Sequence, residues 1–192
     1  MRTFIAIELP EEIRAILSNI QDELKQTQAD VKWVKPENIH LTLRFLGEIE
    51  QDLIKKIHSI LVEIAQKNHY FSLCLFNLGA FPKLQYPRVI WIGLTNDKQA
   101  SEIAKNIEKE LIRIGLPPES RPFSSHITLG RVRSGLNRKA LIEKLEFLNK
   151  NLPSPQPEFK VLKLTLFKST LSPQGPIYES LFTCPLNPGD GS

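Results

Sequence analysis

Two short segments of this chain carry residue types whose spacing suits proton transfer. Residues 39–48 read Ile-His-Leu-Thr-Leu-Arg-Phe-Leu-Gly-Glu and residues 125–131 read Ser-His-Ile-Thr-Leu-Gly-Arg, so each holds a His-x-Thr pair. An imidazole has an unperturbed pKa of roughly 6.5 and can give or take a proton near neutrality. In-line displacement at phosphorus asks for both: one group takes a proton from the attacking oxygen while another, on the opposite side, protonates the leaving oxygen. Threonine hydroxyls two residues on can donate hydrogen bonds to the non-bridging phosphate oxygens. The scheme uses no metal, and neither segment sets a His, Cys or carboxylate at chelating spacing from its histidine. A lone strand histidine is more often structural than catalytic. Repetition of type, spacing and apolar flanks reverses that expectation for His40 and His126, while His58 and His69 keep the structural reading.

Both segments read as strands. Alternation sets His40 with Thr42, and His126 with Thr128, on one face, and turns Leu41, Leu43, Ile127 and Leu129 toward a core. Two such strands side by side would present both imidazoles and both hydroxyls to one cleft. The elements that hold them follow from periodicity. A strand over residues 4–9 leads, through Pro10 and two glutamates, into a helix with Ile13, Ile16, Leu17, Ile20 and Leu24 on one face. A short strand over 31–34 and a turn at 36–38 precede the first histidine strand over 39–46, which Gly47 closes. An amphipathic helix over 51–66 follows. Strands over 71–78 and 89–94 flank a loop at 79–88, rich in prolines and aromatics, and a helix spans 97–114. After the second histidine strand come a helix over 138–148, a proline-rich linker at 152–157, and strands over 159–169 and 176–184 that can pair as a hairpin.

The 192 residues, 41% of them hydrophobic, suffice for one core, and strand and helix alternate without long linkers. The expectation is one domain over residues 1–186 with a flexible tail over 187–192. A net charge of +4, from 25 basic and 21 acidic residues, agrees with a phosphate-bearing partner without requiring one. Cys74 and Cys184 stand far apart in apolar surroundings, which excludes a Cys-x-x-Cys zinc or redox site and reads as two buried thiols. No stretch has the length of a membrane span and the start lacks a signal-peptide pattern, so the expected location is the cytoplasm.

Taken with their context, the motifs resemble the RNA 2′,3′-cyclic phosphodiesterase family, also called 2′,5′ RNA ligases, of the 2H phosphoesterase superfamily. The resemblance runs through the opening Arg2-Thr3-Phe4-Ile5-Ala6-Ile7-Glu8-Leu9-Pro10, Trp33-Val34-Lys35-Pro36-Glu37-Asn38, Phe45-Leu46-Gly47-Glu48, Pro87-Arg88-Val89-Ile90-Trp91 and Arg121-Pro122-Phe123. It implies a bilobal α+β fold: two pseudo-symmetric lobes, with antiparallel sheets flanked by helices, around a central groove floored by both motifs. It also implies hydrolysis of terminal 2′,3′-cyclic phosphates of RNA to 2′-phosphates, with tRNA fragments or nucleotides as further substrates, no cofactor, and a monomer. His40 would be the acid and His126 the base, with Thr42, Thr128 and Arg131 binding phosphate. Ser125 stands where this family commonly has proline, implying a looser entry to the second strand. Strict alternation puts Arg131 on the face opposite His126, so its role requires a break or bulge near Gly130. The same alternation puts Arg44 on the His40 face and nominates it for contact with RNA. A binding module without turnover, and a ligase that joins tRNA halves through a 2′,5′ linkage, remain alternatives at this stage. Trp33, Trp91, Phe81 and Tyr86 could stack on bases, although aromatics of this kind more often pack in cores or loops.

Overall fold

The computed structural model describes residues 1–189. Two antiparallel sheets carry the architecture. The first orders its strands β3-β1-β8-β9, where β1 is Arg2–Glu8, β3 His40–Glu48, β8 Lys163–Ser172 and β9 Gly175–Pro185. The second orders them β2-β6-β5-β4-β7, where β2 is Val31–Trp33, β4 Phe71–Lys83, β5 Tyr86–Thr95, β6 His126–Val132 and β7 Glu158–Val161. Helices α2 (Gln51–Gln66) and α3 (Lys98–Arg113) pack on the first sheet's side, and α1 (Glu11–Lys25) and α4 (Arg138–Lys150) on the second's. This is the expected two-lobed α+β fold.

Each helix buries the stripe that its 3.6-residue period marks out. In α1 the buried apolar residues are Ile13, Leu17, Ile20 and Leu24; in α3 they include Ile103, Ile107 and Leu111. Strand interiors contribute Ile5, Ile7, Leu41, Ile90, Ile92, Ile127, Leu129, Leu164 and Leu166, and the buried residues of both lobes join in one apolar cluster.

Four expectations change. The histidine strands are not neighbours in one sheet: β3 is the edge of the first and β6 lies inside the second, and the two approach each other across the junction of the lobes. The stretch at 79–88 is not a loop. β4 and β5 continue through it to a tight turn at Leu84 and Gln85, with Pro82 opposite Pro87 in the ladder. The strand expected over 159–169 divides at Leu162. Its first part pairs with β4 in the second sheet and the rest pairs with β1 and β9 in the first, because Phe159 and Val161 bury in one lobe and Leu164 and Leu166 in the other. Asn187, expected within the flexible tail over 187–192, is tied to the body: its backbone donates to Asn68 at 2.9 Å and accepts from Tyr70 at 3.0 Å, and residues 190–192 lie outside the described residues.

Candidate active site

Both histidine strands contain an extra residue just after the threonine, which decides what faces the groove, and β3 has a second one at Leu46. Along β6, Thr128 pairs with Trp91 but Gly130 pairs with Ile90, so Leu129 is one residue too many. Leu129 and Gly130 both turn inward and Arg131 comes round to the side of His126 and Thr128, where it is exposed. The bulge that Arg131 required is therefore present, one residue before the glycine. Gly130 sits at a close approach: a Cβ there would lie 2.7 Å from Val31 Cγ1 and 2.9 Å from Trp33 Cε3. The carbonyl of Leu129 is satisfied twice, by the Val34 N–H at 2.9 Å and by the buried Gln21 amide at 2.9 Å, and Gln21 also donates to the Val34 carbonyl at 2.8 Å. The bulge is thus fastened from α1.

β3 repeats the device. Thr42 pairs with Ala6 but Arg44 pairs with Ile5, leaving Leu43 as the extra residue. Leu43 and Arg44 turn inward, and Phe45 is 55% exposed in the position that Arg131 holds in β6. This corrects the facing expected for Arg44. Its side chain is buried, binds Glu108 and the carbonyls of Phe45 and Pro117, and lies 3.2 Å from Glu119. A guanidinium held in that way is not presented to the groove.

The two imidazoles are anchored alike. Nδ1 of His40 donates to the Asn38 carbonyl at 2.7 Å, and Nδ1 of His126 donates to the Ser124 carbonyl at 2.9 Å. A carbonyl can only accept, so Nδ1 carries the hydrogen in both rings and Nε2 keeps the basic lone pair. Nε2 of neutral His40 accepts from the Thr42 hydroxyl at 2.8 Å. The Ser124 carbonyl also accepts the His126 backbone N–H at 2.9 Å, and Leu94 donates to the Ser125 carbonyl at 3.2 Å, so the strand entry is tied despite the missing proline.

Their surroundings differ. His40 stacks on Phe4, with centroids 4.8 Å apart, and meets Tyr178 edge-on at 5.5 Å. His126 meets Phe81 edge-on at 5.0 Å and lies 6.2 Å from Trp91, whose ring covers Gly79. Burial holds His40 below the ordinary histidine value, with the Asn38 carbonyl pulling the other way. Burial lowers His126 too; the Ser124 carbonyl opposes it and the charge of Arg131 adds to it. The charge of Arg131 acts on the first lobe as well: burial raises the Tyr178 phenol, and Arg2 and Arg131 oppose it. Beside His40 a cleft of about 400 Å³ opens between Glu8, Arg14, Lys35, Asn38, Phe167 and Tyr178; it does not extend to His126. Among the described residues no group of three or more His, Cys, Asp and Glu is arranged to hold a metal.

The model of the LigT like Phosphoesterase family matches this chain twice, over residues 7–91 and over residues 92–178, with one histidine motif in each match. The chain belongs to that family. Each match also contains one of the two bulges that follow the threonines. A relative from Methanothermobacter thermautotrophicus named RNA 2′,3′-cyclic phosphodiesterase is 34% identical over 182 residues, 94% of this chain and 96% of the relative. Among solved structures, a Thermus thermophilus protein superposes with a TM-score of 0.81 at 27% identity, covering 99% of this chain and 100% of that one. Escherichia coli LigT complexed with 3′-AMP superposes with a TM-score of 0.75 at 27% identity, covering 96% of this chain and 97% of LigT.

Within this LigT-like site, Asn38 and Gln21 are supporting residues that the sequence did not single out. Asn38 supplies the carbonyl for His40 and ties its own side-chain amide to the Pro176 carbonyl at 2.8 Å; Gln21 fastens the second bulge. The one signal for Gln21 is a polar residue set against the buried stripe of α1. Of the aromatics and histidines left, Phe81 and Trp91 flank His126 and three others lie elsewhere. Trp33 packs against the core, Tyr86 lies under Arg138 with its guanidinium 4.3 Å from the ring, and His58 stacks on Phe182 at 4.0 Å. Cys184 is buried, which raises its thiol, and Cys74 is half-buried.

Proposed function

We propose that this protein hydrolyses the 2′,3′-cyclic phosphate ends of RNA to 2′-phosphates, with His126 as general base and His40 as general acid. Nε2 of His126 takes a proton from water as its oxygen attacks phosphorus. The bond from phosphorus to O3′ breaks, and Nε2–H of His40 protonates O3′. The ribose keeps the phosphate on O2′ and gains a 3′ hydroxyl. The observation that carries this reading is the matched anchoring of the two rings, each with Nδ1–H on a backbone carbonyl and Nε2 left for chemistry. The relatives named RNA 2′,3′-cyclic phosphodiesterase support the substrate, and the LigT complex with 3′-AMP supports a nucleotide in the groove.

The unlike surroundings favour this division of roles. Arg131 disfavours a proton on His126, which suits a base, whereas the corresponding neighbour of His40 is the uncharged Phe45. Both rings are biased toward neutrality by burial, so the acid must gain its proton with the substrate: an anionic phosphate beside His40 favours the imidazolium. Protonation also ends the bond from Thr42, because a protonated Nε2 has no lone pair left to accept with; the threonine hydrogen is released to a phosphate oxygen and the Nε2–H to O3′. Thr128 and Arg131 supply the matching contacts from the second lobe. O3′ stays with the ribose, so the terminal nucleoside lies on the His40 side, where the cleft has room for it. No metal enters this scheme.

The test is product analysis on an oligoribonucleotide ending in a 2′,3′-cyclic phosphate, in excess chelator. A 2′-phosphate product is expected, with His40→Ala and His126→Ala each reducing kcat by about 10²–10⁴-fold. Tight binding without product would replace this reading with a binding module.

A further inference from the structure

The groove carries more positive charge than one reacting phosphate uses. In β1, Arg2 alternates with Phe4, Ala6 and Glu8, and Phe4 stacks on His40, so Arg2 belongs to the groove face. In β2, Lys32 pairs in register with Arg131, and residues in register point to the same side of a sheet. Lys32 therefore stands beside Arg131, on the edge strand of the second lobe. Arg2 and Arg131 both act, from the two lobes, on the Tyr178 phenol beside His40.

Two carboxylates of that face, Glu8 and Glu48, are already engaged. Glu8 holds Lys163 at 3.0 Å and accepts from the Thr165 hydroxyl at 2.8 Å, and Glu48 holds the Met1 amino group at 2.9 Å. Arg2, Lys32 and Arg131 are exposed and have no ion-pair partner among the described residues. Arg44 makes the contrast: where this fold stores a guanidinium for structure, it surrounds it with Glu108 and Glu119. Cations left uncompensated along a groove fit a polyanion.

A cyclic phosphate at a 3′ end has chain on its 5′ side only, so every further phosphate of the substrate lies upstream. We propose that Arg2 and Lys32, flanking Arg131, bind backbone phosphates of single-stranded RNA upstream of the reacting end. This rests on the hydrolytic reading above and adds the length of substrate that the groove takes: more than one nucleotide.

The experiment compares a nucleoside 2′,3′-cyclic phosphate with a tetranucleotide carrying the same end, in wild type, Arg2→Gln and Lys32→Gln, over a salt series, with folding checked by thermal melting. The KM of the tetranucleotide is expected to rise about threefold or more per substitution relative to the mononucleotide. The slope of log affinity against log salt should shallow by about 0.7 per contact removed. Equal effects on both substrates, or no effect on the tetranucleotide, would overturn the proposal. Binding of a labelled tetranucleotide ending in 2′-phosphate reads the same slopes without turnover. Wild-type protein that binds it with the expected slopes but cleaves neither substrate would refute hydrolysis and still support the phosphate row.

Discussion

In β6 the bulge at Leu129 leaves Gly130 facing the interior and Arg131 facing the groove; in β3 the bulge at Leu43 leaves Arg44 facing the interior and Phe45 facing the groove. The backbone device is the same and the side chains hung on it are exchanged. One lobe thereby gives the groove a cation beside its histidine, and the other gives an aromatic ring and uses its cation to tie β3 to α3 and to Pro117. Two halves that match one family model thus differ, at two adjacent residues, in the charge set beside the histidine, and the proposed division into acid and base rests on that difference.

The largest effect expected from breaking this difference is at Arg131. Arg131→Met removes the donor that the proposed mechanism places on the phosphate and should lower kcat/KM by about 10²–10³-fold. It should also move one limb of the pH profile. The base must be neutral, so the acid limb follows His126; removing a charge that lowers this pKa raises it, and the limb moves to higher pH. In wild type both rings lie below their ordinary value in the free protein, so the kcat/KM bell should centre below pH 6.5. The kcat profile, which reports the complex with an anionic phosphate, should lie at higher pH. An acid limb unmoved by Arg131→Met would mean that Arg131 does not act on His126.

Gln21→Met tests what fastens the second bulge. It removes two hydrogen bonds, one buried and one partly buried, and leaves the Val34 carbonyl without its amide partner, a loss of about 1–3 kcal/mol in denaturant titration. Activity should fall with it, since Arg131 loses its fixed presentation; unchanged stability and activity would show that the ladder alone holds the bulge. The smallest effect is expected from Phe45→Lys, which puts a cation beside His40. It should lower the acid's pKa, and because the acid must be protonated the alkaline limb should move to lower pH. A shift of the acid limb instead would exchange the roles of the two histidines.

The helices and the two motifs were legible because their signals are local: the 3.6-residue stripes of α1, α2 and α3, and the His-x-Thr spacing itself. What alternation misjudged shares one cause. A bulge adds a residue to one strand of a pair and leaves no local signature in a run such as Thr-Leu-Arg-Phe, so Arg44 was assigned to the wrong face. At Arg131 a glycine gave warning, and the bulge is there. The strand that crosses between lobes at Leu162 was unreadable for a related reason: apolar alternation says that a residue is buried, not in which lobe. Asn38 and Gln21 escaped notice because their importance lies in partners distant in sequence, Pro176 for one and Leu129 for the other.

The division of labour between the lobes can be measured by changing the leaving atom. A cyclic substrate with sulfur in place of the 3′ bridging oxygen expels a thiolate that needs no proton, so it dispenses with the acid but not with the base. His40→Ala should therefore recover most of its lost rate on the sulfur substrate, while His126→Ala should stay as slow as on the oxygen substrate. Recovery in His126→Ala, or equal behaviour of the two variants, would contradict the assignment of His40 as acid and His126 as base.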